Sequence, residues 1–503
     1  MFGGNIREFP CPWYDAPPEP SDRRPAAGRF LVNVTAFHLR SDLFSPPPRS
    51  DLLVCPMSEL IISVSGLRGI LGETLTPEVA VRFAAAFSAS MPEGKIVIGR
   101  DGRTTGPMLR SAIVSALTAS GRDVIDADVA ATPTIGVLVR ELGAVGAIAI
   151  SASHNPPEYN GIKLFGGDGR VLDAESGAKI RDAYFAGTNR WATYDQIGEV
   201  SSVEDPHAAH LEKVLATVEV DAIKAKQFRV LIDSNHGAGG LLGVRLLEAL
   251  GCTVEAMGHE PTGKFAHTPE PTAENLQGIS ADVTGRQCVV GFCQDPDADR
   301  LALIDETGRY IGEECTLALC VRQAMETGRT SGPIVINGAT SSMSTLIAEQ
   351  HGVETFRSAV GEANVCDLMI AKKAAYGGEG NGGPIDPTVG YVRDSFVGMA
   401  QTLALLARTG KPLSELADEL PQLSIHKSKA GVSAERLPAV FDKLEAKFTD
   451  AEATRGDGMR LQWSDRWLLV RGSNTEPIVR MIAEAPTADE ASSLCDQAAE
   501  LLG

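Results

Sequence analysis

Three times along this chain a short, β-rich apolar run breaks off into a loop of small and polar residues. That recurrence constrains the fold more than any other feature. The runs are KIVIGRDGR (95–103), FRVLIDSNHGAGG (228–240) and GPIVINGATSSM (332–343). Each is followed by a helical pattern and then by a second apolar or small-residue run, leading into AISASHNPP, GFCQDPDADR and AAYGGEGNGG. Short apolar strands alternating with helices predict α/β modules on parallel sheets made of βα units. Ligands of such sheets bind outside the carboxyl ends of the strands, so each module offers one polar loop to a site.

Helix punctuation supports the reading. Thr76-Pro77-Glu78 places a capping side chain before a proline at the first helical position, ahead of VAVRFAAAFSA. Thr487 and Glu490 form a capping-box pattern opening ASSLCDQAAELLG. From about residue 420 the pattern changes, and RLQWSDRWLLVRGS and EPIVRMIAEA read as strands of a smaller α+β unit flanked by helices. The expected domains are 57–204, 205–306, 307–411 and 412–503. Residues 1–56, with PPEP, PPP and no sustained period, read as disordered or as the product of a start placed too far upstream of Met57.

Charge narrows the partners. A net charge of −19 disfavours nucleic acid and anionic membranes, which reward basic surfaces. It still permits a small phosphorylated anion where a few arginines converge. No apolar run is long enough to span a bilayer, and the nine cysteines lack metal-type spacing. These features predict a cytoplasmic protein with free core thiols. A monomer and a homodimer fit equally.

Four loops carry candidate chemistry. In DPDADR, Asp295, Asp297 and Asp299 alternate, so an extended strand end would put all three carboxylates on one face, where they repel unless a hard cation such as Mg²⁺ neutralises them. Glu306 falls at the twelfth position of a calcium loop, but Arg300 stands where that loop needs glycine and strands flank the motif, so a calcium hand is excluded. GGEGNGG (377–383) lacks the GK[ST] of a phosphate loop; Glu379 and Asn381 suit sugar hydroxyls. RGSNTEPIVR (471–480) crowds Arg471, Ser473, Asn474 and Thr475 after a strand, with Arg480 behind, a donor set that matches a phosphate. SASHNPPEYNGIK (151–163) puts Ser153 beside His154 without the GxSxG of a hydrolase. If these loops converge, Ser153 suits a phosphoryl carrier, with the aspartates' metal, Arg300 and Lys163 balancing its charge.

Together these motifs resemble the α-D-phosphohexomutases, the group of phosphoglucomutases, phosphomannomutases and phosphoglucosamine mutases. SASHNPPEYNGIK resembles the phosphoserine loop, DPDADR the metal loop, GGEGNGG the sugar loop and RGSNTEPIVR the phosphate loop, in the family's order across about residues 57 to 503. SGLRG, with Arg68, resembles the N-terminal signature. The resemblance implies an α/β fold of three similar mixed α/β domains around a cleft, plus a smaller C-terminal α+β domain that closes over substrate. It implies Ser153 as phosphoserine, and one Mg²⁺ on Asp295, Asp297 and Asp299 together with the phosphate on Ser153. Lys163 and Arg68 become acid/base groups or charge stabilisers, with His154 and Arg300 nearby. Glu379 and Asn381 hold the sugar, and Arg471, Ser473, Asn474, Thr475 and Arg480 grip the non-reacting phosphate. The implied reaction interconverts hexose 1- and 6-phosphates through a bound sugar 1,6-bisphosphate, which also serves as activator. GEGNGG and SNTEP resemble the archaeal-type branch, which leans to glucosamine phosphate. A phosphomannomutase or phosphoglucomutase is the alternative, and a metal-dependent sugar phosphatase the further one.

Overall fold

The structure is a computed structural model that describes residues 60–63, 66–431, 436–472 and 478–502. The stretch 1–56 and the phosphate-loop residues Ser473, Asn474 and Thr475 lie outside the described residues.

One four-strand pattern is repeated in three sheets. In the first sheet, Tyr159–Gly166, Gly146–Ile150, Ile96–Arg100 and Val124–Val129 lie side by side in that order. The second repeats it with Leu301–Asp305, Val290–Gln294, Arg229–Asp233 and Thr253–Met257. The third has Gly383–Ile385, Tyr376–Glu379, Ile334–Asn337 and Thr355–Ser358. The last three strands of each set are parallel, whereas the first returns antiparallel to its neighbour. Three further strands extend the first sheet to seven.

The expectation of parallel sheets therefore needs correcting to mixed sheets, as the resemblance implied. The second run of each module leads not into a helix but into a tight reversal. Pro156 and Pro157, then Pro296, and then the glycines at 380 and 382 stand just beyond those strands, where the chain turns. Proline presets the backbone for a tight turn and Gly382 adopts φ +79°, so the chain doubles back on its own sheet. Each candidate loop thus becomes the tip of a hairpin, anchored at both ends by paired strands.

The fourth sheet is wholly antiparallel, in the order Ser424–Ala430, Val479–Ala485, Trp467–Gly472, Gly458–Gln462, Glu452–Gly456. Helices Leu437–Lys447 and Ala488–Leu502 share its apolar core through Leu444, Leu494 and Cys495. Helix Ser395–Thr409 is buried from Ser395 through Ala407 and joins the second and third sheets in one apolar core, as expected of a helix apolar all round. The Thr76 hydroxyl caps helix Pro77–Ser90 by accepting from the Val79 N–H. At Thr487 the hydroxyl accepts from the Glu490 N–H, while the Glu490 carboxylate accepts from that same hydroxyl. Among the described residues no helix is long and apolar enough to cross a membrane.

Candidate active site

The Ser153 hairpin is held rigidly from beneath. Arg103, 1% exposed, donates to four carbonyls of the loop: Ser153 O (2.7 Å), Asn155 O (2.6 Å), Pro156 O (2.7 Å) and Tyr159 O (2.9 Å). Its Nε reaches Asp101 at 3.2 Å, and Asp101 also accepts from Ser151 Oγ at 2.7 Å. Ser151 Oγ in turn accepts the Ser153 N–H at 2.9 Å. Ser153 adopts φ +49°, a left-handed backbone that costs a non-glycine residue about 1–3 kcal/mol and persists only where the surroundings impose it. Arg103 and Ser151 impose it here.

That backbone aims Ser153 Oγ at the second module. The hydroxyl donates to Asp295 Oδ2 at 2.8 Å, with His154 Nδ1 3.4 Å away. Oxygen atoms of Asp295, Asp297 and Asp299 lie within 4.8 Å of one another, and all three residues are buried. The convergence is real, but its cause differs from the expected one. The aspartates sit in a turn beyond strand Val290–Gln294, with Ala298 at φ +56°, rather than alternating on a strand.

Electrostatics sort the three carboxyls. Burial raises the Asp295 pKa, and Asp299 and Asp297 add to it. Burial also opposes ionisation of Asp297, but Lys163 Nζ at 2.6 Å and Thr132 Oγ1 at 2.7 Å override it and hold Asp297 below the usual range. Asp299 is likewise lowered against its burial, by Arg393 Nη2 at 2.6 Å and Lys163 Nζ at 2.8 Å. Lys163 pays desolvation yet is held above the ordinary lysine value by both carboxylates. Asp297 Oδ1 and Asp299 Oδ1 are buried without a hydrogen-bond partner. Two ionised carboxylates with bare oxygens beside a third that resists ionisation form a donor set short of positive charge. Hard, all-oxygen ligands of this kind fit a divalent cation such as Mg²⁺.

Arg68, Arg300 and His154 close on the same point. Arg68 Nη1 donates to Asn155 Oδ1 at 2.8 Å, tying the first sheet to the loop. The Arg300 N–H donates to Asp295 Oδ1 at 3.1 Å, and its Nε lies 4.0 Å from Asp299 Oδ1. Burial, then Arg300 and Arg68, push the His154 pKa down to about 2, so its imidazole is neutral. Glu379 accepts from Asn337 Nδ2 (2.6 Å), the Gly361 N–H (3.1 Å) and Arg393 Nη1 (3.0 Å). Asn381 lies 3.5 Å from Glu379, and its Oδ1 is buried without a partner. Arg471 and Arg480 stand opposite each other on paired strands of the fourth sheet; Arg471 is buried and Arg480 exposed.

Three residues escaped the reading of the sequence. Arg103 closes the quoted KIVIGRDGR, in the loop beyond strand Ile96–Arg100, and has no role in that reading. Arg393 spans from Asp299 to Glu379 and so joins the metal loop to the sugar loop. Asp457 accepts from Arg471 Nη2 at 3.0 Å. Only the charge pair in RDGR could have flagged Arg103; nothing in the sequence marks the other two.

Comparison with known proteins agrees with this geometry. Four family models match in order, described as phosphoglucomutase/phosphomannomutase alpha/beta/alpha domains I, II and III and the C-terminal domain, over residues 60–191, 208–308, 313–423 and 428–501. A phosphoglucomutase/phosphomannomutase of Thermococcus kodakarensis is 37% identical over 446 residues, covering 87% of this chain and 97% of the relative. A probable phosphoglucosamine mutase of Methanopyrus kandleri is 34% identical over 441 residues, covering 87% and 96%. A crystal structure of a phosphoglucomutase/phosphomannomutase family protein from Burkholderia thailandensis superposes with a TM-score of 0.77 at 26% identity, covering 88% of this chain and 96% of that one.

Proposed function

The chain belongs to the phosphoglucomutase/phosphomannomutase family, and from that premise we propose that it moves a phosphoryl group between O1 and O6 of a hexose by way of Ser153. The observation that carries this reading is the 2.8 Å contact between Ser153 Oγ and a triad of buried aspartates with two unpartnered oxygens. In the forward half-reaction a sugar hydroxyl oxygen forms a bond to phosphorus as the Oγ–P bond breaks. The hydroxyl proton leaves the sugar, and Ser153 regains one. The bisphosphate so formed turns in the cleft and returns its other phosphoryl group to Oγ, which restores the phosphoserine and releases the isomer.

Asp295, Asp297 and Asp299 would hold one Mg²⁺, which when bound supplies positive charge to the phosphoryl oxygens. Lys163, kept cationic by two carboxylates, stabilises charge and does not act as a base. Neutral His154 offers a nitrogen acceptor beside Oγ, while Arg68 and Arg300 add donors around it. Glu379 and Asn381 hold the sugar hydroxyls. Arg471, with Ser473, Asn474, Thr475 and Arg480, grips the phosphate that is not reacting, and closure of the fourth sheet's body excludes water that would hydrolyse the phosphoserine.

Glucosamine phosphate is the proposed preferred sugar. Glu314 packs so closely on the sugar loop that a Cβ at Gly380 would lie 1.9 Å from its carboxylate, and the neighbouring Glu313 has a buried Oε1 without a partner. Burial raises the pKa of both these carboxyls, so an ammonium substituent brought beside them would supply the positive charge that favours their ionised form. Two measurements test the reading. Ser153→Ala should keep the fold and lose at least about 10³-fold in turnover, as expected when a covalent carrier is removed; undiminished turnover would remove Ser153 from the mechanism. Glucosamine, glucose and mannose 1-phosphates assayed side by side should rank glucosamine first, and a higher kcat/KM for either neutral sugar would reject that preference.

A further inference from the structure

We propose that Asp457 is a positioning residue that aims Arg471 at the substrate phosphate and couples that grip to docking of the fourth sheet on the third module. The inference rests on the mutase reading and extends it to a residue outside the four loops. Asp457 sits in the turn between strands Glu452–Gly456 and Gly458–Gln462. Gly458 follows at φ +101°, where a Cβ would lie 2.4 Å from Val470 O, so the turn is pressed onto the strand that carries Arg471.

The two carboxylate oxygens of Asp457 serve different bodies. Oδ1 accepts from Arg471 Nη2 at 3.0 Å, within the fourth sheet. Oδ2 accepts the Val360 N–H at 2.9 Å, across to the third module. The next N–H, of Gly361, donates to Glu379 Oε1 at 3.1 Å. Consecutive backbone donors therefore link the phosphate-gripping arginine to the sugar-loop glutamate, and Glu379 continues through Arg393 to Asp299. Around this link Val360 packs with Trp467, Leu469 and Ile482 of the fourth sheet.

The reaction cycle gives this arrangement a purpose. Between half-reactions the bisphosphate must turn, so Arg471 has to release one phosphate and take another. Its side chain is only 8% exposed, and its Nε has no acceptor among the described residues. A buried guanidinium left bare at that moment is costly. Asp457 keeps one donor paired throughout and leaves Nε for the ligand. Because the same carboxylate holds Val360, the aimed state of Arg471 coincides with the docked state of the sheet.

The test uses the full chain carrying Asp457→Asn, which keeps the size of the side chain and an acceptor for Val360, alongside Asp457→Ala. For Asp457→Asn, KM for the hexose phosphate should rise about 5–10-fold with kcat within about 2-fold, the split expected when ground-state grip is lost. Turnover should also come to depend on added sugar 1,6-bisphosphate, because the intermediate escapes before it has turned. Asp457→Ala should show both effects more strongly. Calorimetric titration with glucose 6-phosphate in a Ser153→Ala background reads the grip without turnover and should show the same 5–10-fold loss, scaled as above. A parent that binds this ligand but isomerises no sugar phosphate counts against the mutase reading alone. Equal affinity in parent and Asp457→Asn, with matching melting curves, overturns the role given to Asp457.

Discussion

The Ser153 hairpin and the Arg471 strand both handle phosphate in the proposed cycle, yet they are built in opposite ways. Beneath Ser153, one buried arginine donates to four loop carbonyls and fixes a left-handed residue. Beside Arg471, the side-chain support among the described residues is one carboxylate, shared with the backbone of another module. In that cycle the reacting centre is fixed to the scaffold, while the proposed grip on the non-reacting phosphate rides on the fourth sheet, linked to the third module through Asp457. Chemistry tolerates little displacement, so rigidity belongs at Oγ. Binding and release need a reversible contact, so adaptability belongs at Arg471.

The contrast breaks most visibly at Arg103. Arg103→Leu leaves Asp101 buried without its cation and removes the donor shared by four loop carbonyls. Breaking a buried pair this way costs about 3–5 kcal/mol, and misplacing Oγ by an ångström costs about 10²-fold in rate. The expected outcome, read by thermal melting and steady-state assay, is a much lower Tm with kcat reduced about 100-fold and KM little changed. A kcat within 2-fold of the parent, by the same arithmetic, would show that the hairpin holds its shape unaided.

Arg471→Lys should strike the other half of the comparison. Lysine keeps the charge but loses the planar fork, so KM should rise about 10-fold while kcat stays within about 3-fold. Equal losses in kcat and kcat/KM would instead place Arg471 at the reacting phosphoryl and erase the distinction between the two regions.

The smallest expected effect is a pH dependence at the sugar loop, between them. Burial pushes the Glu314 carboxyl up to about 8 from its usual acidic range. A carboxyl raised in the folded state binds its proton more tightly there, so its stabilising contribution is full below pH 4.5 and is lost as pH rises through 8. Glu314→Gln removes that loss. Its Tm relative to the parent should therefore be higher at pH 9 than at pH 5 by a few degrees. A constant difference across that range would return Glu314 to an ordinary pKa.

Much of this was legible in the chain, for a physical reason. Ser153, the three aspartates, Lys163 and Glu379 lie in short runs whose composition betrays a local demand: charge without a partner, or turn residues at the end of a strand. The three pairs of parallel strands were equally plain from apolar runs such as IVIGR and GAIAI. What could not be read depends on tertiary meeting points. Tyr159–Gly166 follows two prolines and contains the Asn160-Gly161 pair, so it does not look like a strand until a neighbouring sheet pairs with it. The aspartates converge through a turn with one left-handed alanine, a geometry that alternation alone does not reveal. Arg103, Arg393 and Asp457 act on partners in other segments, and an isolated arginine or aspartate in sequence carries no sign of that.

The central claim is that Ser153 carries the phosphoryl group, and labelling tests it most directly. The protein is incubated with Mg²⁺ and glucosamine 1-phosphate labelled in its phosphate, quenched, digested and analysed by peptide mass spectrometry. The account expects label on the peptide containing Ser153, and its transfer to sugar when unlabelled hexose phosphate is added. Interconversion of the two isomers with no label ever appearing on Ser153 would contradict it.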